Sequence, residues 1–170
     1  PILSLFSFLY KKDNVGFTLQ FDDAPSEPIE IAHRTGAPSY KADVNVNEPN
    51  ISTLDSGYQL IEVPLEAIAW GRSGDKGNKA NIGIIARHPN LLPHIWDTFS
   101  EEKIVEIFSH FLENDKIDRH YLPGISGVNY VLHDVLGGGG TTSLRNDPQG
   151  KGYAQILLSC KISVPKNLLV

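Results

Sequence analysis

Methionine is absent from this chain and cysteine occurs once, at Cys160. A single thiol excludes an intrachain disulfide framework and suits a reducing compartment. No apolar run approaches the roughly 20 residues that a membrane-spanning helix needs. The apolar stretch Ile2 to Tyr10 is followed, not preceded, by Lys11 and Lys12, so it does not read as a secretory signal. Cations are outnumbered, 15 Lys and Arg against 20 Asp and Glu, for a net charge of −5. That balance removes the global basic field of a nucleic-acid binder. The chain has no metal-ligand cluster and no nucleotide-binding fingerprint, so neither metal nor cofactor is expected. Ser73 and Ser143 lack an evident histidine partner, which argues against serine-hydrolase chemistry. A cytoplasmic protein with no nucleic-acid and no membrane partner is the expectation. The missing methionine and the opening Pro1 read as the trailing part of a longer polypeptide or a processed chain.

What is present falls into three parts. Residues 1–21 hold two strand candidates, Ile2 to Tyr10 and Val15 to Phe21, joined by Lys11-Lys12-Asp13-Asn14 as a hairpin turn. A lone hairpin is marginal in water, so this one reads as the tail of an upstream domain. Residues 22–57, punctuated by Pro25, Pro28, Pro38 and Pro49, read as an extended linker in which His33 and Arg34 are merely solvated.

Residues 58–170 carry the pattern of an α/β domain, an α+β sandwich ordered strand-strand-helix-strand-helix-strand. Val63, Leu65, Ala67 and Ala69 alternate as a first strand, with Pro64 placing it at a sheet edge; Ile82, Ile84 and Ala86 mark a second. Asn90 can cap a short helix. Ser100 caps a better one, with Glu101 and Glu102 in its first turn, an apolar stripe from Ile104 through Phe111 and Leu112, and Asn114 at its end. Ile117 to Leu122 is a third strand. Ser126 opens a predicted helix with Val128, Val131, Leu132, Val135 and Leu136 on one face, and Gly137 stops it. Its His133 is read as a surface or satisfied residue. The alternation of Ala154, Ile156, Leu158, Cys160, Ile162 and Val164 predicts a final strand, with Cys160 a small buried apolar residue and not a nucleophile.

Between the first two strands lies Arg72-Ser73-Gly74-Asp75-Lys76-Gly77-Asn78, with no apolar side chain. Between the second helix and the last strand lies the glycine-rich run 137–152. If the first two strands form a hairpin and each helix is a right-handed crossover, both loops lie at one end of the sheet. Arg72, Lys76, Arg145 and Lys151 would then converge with Asp75 and Asp147 under glycine N–H groups. Such a cluster fits an anionic small molecule: a carboxylate, a phosphate or a coenzyme A thioester. In that reading Asp75 is the proton acceptor and Lys76 its catalytic companion. Lys76, Arg72 and Arg145 hold the anion while Ser73, Asn78 and Asn129 orient it, with Gly74, Ser143, Asp147 and Lys151 also among the ligand-binding residues. The competing reading has Arg72–Asp147 or Arg145–Asp75 pairs that only pin the two loops together.

The stretch Ala69-Trp70-Gly71-Arg72-Ser73-Gly74-Asp75-Lys76-Gly77-Asn78, continued by Ala80-Asn81-Ile82-Gly83, resembles the C-terminal domain of the acyclic terpene utilisation protein A family. So do Asn129-Tyr130-Val131-Leu132, the Gly137 to Gly140 run, and Ser143-Leu144-Arg145-Asn146-Asp147-Pro148-Gln149-Gly150-Lys151. The resemblance covers about residues 60–167. It implies a ferredoxin-like domain ordinarily attached to a larger N-terminal domain, in a family linked to breakdown of acyclic terpenoids through coenzyme A thioesters. It implies no catalytic residues. Two functional classes follow: a ligand-binding part of a catabolic enzyme, or a homo-oligomerising assembly module of one.

Overall fold

The computed structural model describes residues 8–29, 47–49 and 58–169, and these fall into two compact units. The smaller one is a hairpin of β1 (Phe17–Leu19) and β2 (Glu27–Ile29), antiparallel with Phe17 opposite Ile29. A hairpin is therefore present, but its second strand comes from the stretch read as linker. The chain reverses at 22–24, where Asp22 takes φ 48° and Ala24 N donates to Phe21 O. Lys12–Asn14 forms a 3-10 turn and not a hairpin turn. Most of the expected strand Ile2 to Tyr10, and His33 and Arg34, lie outside the described residues.

The larger unit is an α+β sandwich, as expected. Its sheet has four antiparallel strands in the order β4 (Ala69–Lys76), β5 (Lys79–Ala86), β7 (Gly127–Leu132), β6 (Ile117–Leu122). A second ladder pairs β3 (Leu60–Pro64) with β8 (Lys161–Pro165). Helices α1 (Leu92–Thr98), α2 (Glu101–Phe108) and α3 (Tyr153–Ser159) pack on one face of the four-stranded sheet. The core lies between, built on Ile82, Ile84, Val128, Tyr130 and Leu132 from the sheet and Ile95, Ile104, Phe108 and Leu157 from the helices. Tyr130 crosses that core and donates its hydroxyl to Phe99 O at 2.8 Å, and burial raises its pKa far above the usual phenol value.

The helix capped by Ser100 forms as read: Ser100 Oγ accepts from Lys103 N at 3.3 Å, with Glu101 and Glu102 in the first turn. It ends at Phe108, and Phe111 and Leu112 pack from the following turn, not from Asn114's expected helix end. Asn90 is not the cap of the preceding turn; His88 Nδ1 accepts from Asn90 N instead.

Several elements differ from the sequence reading, each for a local reason. The run Val63 to Ala69 is two strands, because Pro64 cannot continue the ladder and Leu65–Ala67 turn as a 3-10 helix. The expected helix from Ser126 is strand β7. Val128, Tyr130 and Leu132 are buried while Asn129 and Val131 alternate with them, and Ser126 itself sits at φ 50° in the preceding turn. The apolar residues in that stretch satisfy both periods, and pairing with two neighbouring strands decides for extended backbone. The expected last strand is helix α3 followed by β8. Tyr153, Ala154 and Leu157 share a buried helical face, and Cys160 is half-buried at the helix end with its thiol pKa raised by burial. With these exchanges the crossovers disappear and every neighbouring pair in the sheets is antiparallel.

His94 on α1 is buried, and its Nε2 finds no hydrogen-bond partner among the described residues. Burial holds its pKa below the ordinary 6.5, with the Asp97 carboxylate opposing. The unfolded chain takes the proton more readily, so stability rises with pH below about 6.5 and is lost as pH falls toward the folded value. Urea midpoints should therefore drop from pH 7.5 to pH 5, and His94→Leu should flatten that dependence; an unchanged slope in the variant would exclude His94 as its source.

Candidate functional site

The polar heptapeptide is not a loop. Arg72 to Lys76 continue β4, paired from Ala69↔Ala86 to Lys76↔Lys79, and only Gly77 and Asn78 make the turn. Gly77 has φ 70° and Asn78 has no positive φ, as a type II′ turn requires. Strand geometry then sorts the side chains. Gly71, Ser73 and Asp75 face the helices; Trp70, Arg72, Gly74 and Lys76 face away from them.

Ser73 is a buried fastener. Its hydroxyl donates to Lys151 O at 3.0 Å and accepts from Ala154 N at 2.9 Å, tying edge strand β4 to the start of α3. Asn78 is another. Its Oδ1 accepts from Gly138 N at 2.7 Å, its Nδ2 donates to Asp134 Oδ1 at 3.1 Å, and its carbonyl accepts from Val135 N. The two glycine-bearing segments thus do lie side by side, although no parallel crossover brings them there. Antiparallel β7 ends beside Ala80 and delivers residues 133–139 to the β4–β5 turn.

The expected convergence of four cations does not follow from that adjacency. Arg145 donates through Nη2 to Phe111 O at 3.0 Å and its guanidinium lies 5.7 Å from the Phe111 ring centre, on the helix side. Ser143 Oγ accepts from Arg145 N, which shapes the same turn. Asp147 accepts from Lys151 N and Gly152 N at 3.0 and 2.7 Å, closing the 147–152 turn. Neither Arg72–Asp147 nor Arg145–Asp75 forms an ion pair. Asp75 is half-buried on the helix-side face, and Lys76 Nζ donates to Asp75 O. Beside Phe111, Leu144 and Tyr153 a cleft of about 620 Å³ opens, but its arginine is already engaged.

The face of the sheet turned away from the helices is different in character. Reading across β4, β5, β7 and β6, the ladder places Arg72, Gly83, Asn129 and His120 in one row. Gly74, Asn81, Val131 and Asp118 form the next row, and Trp70, Ile85, Gly127 and Leu122 the row on the other side. Arg72 is exposed, and none of the described residues accepts a hydrogen bond from its guanidinium. Lys151 reaches around the edge of β4: a Cβ placed on Gly74 would lie 3.0 Å from its ammonium nitrogen. Asn81 Nδ2 donates to Asn129 Oδ1 at 3.2 Å. Arg72, Lys76, Lys79, Lys116 and Lys151 lie on or beside this face, with the carboxylates of Asp118 on it and of Asp134 at its turn end, bonded to Asn78, in a chain whose net charge is −5. Asp118 is itself engaged, 2.6 Å from His133 Nε2, and that hydrogen bond holds its carboxyl below the usual range.

Beside the Arg72 row is an apolar hollow of about 230 Å³ lined by Trp70, Ile85, Leu122 and Ile125, with Arg72 and Gly83 at its margin. Trp70 and Ile125 are more than half exposed. Arg87 stacks 4.6 Å from the Trp70 ring centre. Sequence reasoning singled out Arg72, Gly74, Asn129 and Lys151 but missed Asn81, Gly83 and this hollow. The signal was the alternation Lys79-Ala80-Asn81-Ile82-Gly83-Ile84-Ile85, whose odd positions supply the exposed face of a central strand.

Residues 63–163, well over half of the chain, match the model of the AtuA ferredoxin-like domain. The chain belongs to that family. The ferredoxin-like class expected from the sequence is thereby established. No curated protein and no solved structure matches the chain. Among the described residues, no group of three or more His, Cys, Asp or Glu could hold a metal ion, and no helix is long and apolar enough to cross a membrane.

Proposed function

We propose that this AtuA ferredoxin-like domain is the anion-binding part of a catabolic protein acting on a carboxylate or coenzyme A-linked small molecule. The observation that carries the reading is the Arg72 guanidinium, without a partner among the described residues, on the sheet face turned away from the helices, with the Lys151 ammonium beside it and Asn129 across Gly83. Neighbouring strands lie about 4.8 Å apart, so Arg72 and Asn129 stand about 10 Å apart at their Cα atoms. A carboxylate fits against Arg72, which offers it a bidentate guanidinium. Asn129 borders the other side, and since its Oδ1 accepts from Asn81 Nδ2, only its Nδ2 is left to donate to the anion. Lys76, Lys79 and Lys116 at the far end of the face favour further negative charge, as in an acyl thioester carrying phosphates. Asp75 and Arg145 do not belong to this arrangement: one is on the opposite face, the other is bonded to Phe111 O.

Titration calorimetry with isovalerate, octanoate and octanoyl-coenzyme A tests the reading. Saturable heat with at least one of them is expected, weakening as salt rises because the anion contacts are partly exposed. Absence of heat with all three would refute it.

The exposed apolar side chains Trp70, Ile85, Leu122 and Ile125 favour a second reading, a non-catalytic assembly face, since contiguous exposed apolar surface marks interaction sites. Light scattering separates the two. An assembly face predicts an oligomer that Ile125→Glu dissociates, whereas a ligand face leaves the mass unchanged by that substitution.

A further inference from the structure

The sheet carries glycines at positions 71, 74, 83 and 127, and packing accounts for two of them. A Cβ at Gly71 would lie 2.9 Å from Ile84 Cδ1 and 3.1 Å from the Leu158 side chain, under α3. One at Gly127 would lie 2.9 Å from the Ile84 carbonyl oxygen. Gly74 sits under the Lys151 ammonium.

Gly83 has no such reason. Its nearest neighbours would be Arg72 O at 3.8 Å and Asn129 Oδ1 at 3.9 Å, ordinary contacts for a methyl group. Its φ is not in the left-handed region. It occupies the middle of a strand paired on both sides, where glycine weakens the sheet and a β-branched residue would fit better. A strand-interior glycine marks a bulge, a tight bend or a place where something approaches the backbone closely, and the pairing runs one-to-one through Gly83 on both sides, so no bulge accounts for it.

We infer that Gly83 is the floor of a small carboxylate site and sets its specificity. The carboxylate lies flat across Gly83 between Arg72 and Asn129, and its hydrocarbon enters the hollow of Trp70, Ile85, Leu122 and Ile125 one row away. Two residues along a strand span about 6.7 Å, so the charged head and the apolar body of one short acid reach both places. The hollow, about 230 Å³, is smaller than the roughly 300–1,000 Å³ of drug-sized sites. It therefore suits the short or branched hydrocarbon part of an acid, and a long chain would extend beyond it. This rests on the reading above and adds to it the position of the anion, the size of its body and the residue that admits it.

The test uses two substitutions and two readouts. Gly83→Ala should raise the melting temperature by about 2–6 °C, because a strand glycine is replaced without a clash. Gly83→Val should fold with the same circular dichroism and weaken isovalerate binding at least tenfold, because its branches fill the floor. Gly71→Ala should lower the melting temperature, as a packing glycine must. If wild type binds isovalerate and Gly83→Val binds it equally well, the floor is elsewhere and this inference falls while the anion-binding reading stands. A melting temperature lowered by Gly83→Ala would mean that the fold needs the glycine after all, and would overturn the inference too. If wild type binds isovalerate, octanoate and octanoyl-coenzyme A not at all, the broader reading fails and takes this one with it.

Discussion

Gly139→Ala should destabilise the larger unit by about 2–5 kcal/mol, more than any conservative surface change. Two costs coincide there. Gly139 sits at φ 71°, a left-handed conformation that costs an alanine roughly 1–2 kcal/mol. Its missing Cβ would also run into the carbonyl of Gly77, in the β4–β5 turn. Backbone cannot move aside as a flexible side chain can, and overpacking of this kind costs about 1–3 kcal/mol. The neighbouring Gly140 has φ 51° but open space, so Gly140→Ala should lose only the conformational part. Urea denaturation of both variants measures the difference. Equal midpoints for the two would mean that the 137–140 run does not press on the Gly77 turn.

The second large effect concerns binding. Replacing both Arg72 and Lys151 by alanine should weaken anion affinity about 100-fold or more, since hydrogen bonds to charged groups contribute about 1.5–3 kcal/mol each. The fold should be nearly untouched. Arg72 has no protein partner among the described residues, and Lys151 fastens β4 through its main chain, whose carbonyl accepts from Ser73, and not through its ammonium. Arg145→Ala is the informative contrast. It removes the hydrogen bond to Phe111 O and the contact with the Phe111 ring, so it should lower stability and leave affinity intact. Calorimetry and melting curves on the three proteins would separate these roles. Affinity lost in Arg145→Ala and kept in the double variant would place the anion on the helix side of the sheet.

Much of the fold could be read from local chemistry where only one period was available. Ser100 followed by two glutamates and the stripe from Ile104 to Phe108 has no reading but an amphipathic helix, and it forms one. Two stretches misled because their apolar residues satisfy both periods. Gly127 to Leu132 became strand because β5 and β6 pair with it on either side; Tyr153 to Ser159 became helix because it covers β4 and β5. Neither partner is visible in the stretch itself.

The candidate site shows the same division. The expected neighbourhood of 72–78 and 137–152 is real, with Asn78 and Ser73 holding the segments together, but it comes from antiparallel pairing and not from the expected crossovers. Which face each side chain takes depends on register. Reading 72–76 as loop concealed the alternation that puts Arg72 outward and Ser73 inward. The same error made Asp75 and Arg145 companions of Arg72, when the sheet stands between them. Asn81 and Gly83, part of the family-like stretch, are not legible as site residues because they matter only as cross-strand neighbours, a relation set by pairing across almost fifty residues.

The most direct test of an anion seat on the sheet face turned away from the helices is an amide chemical-shift map of the domain titrated with octanoate. Saturable shifts centred on Arg72, Asn81, Gly83 and Asn129, with the Trp70 indole moving alongside, are the expected result. Shifts centred on Phe111, Leu144 and Arg145, with the Gly83 amide unmoved at saturation, would contradict it.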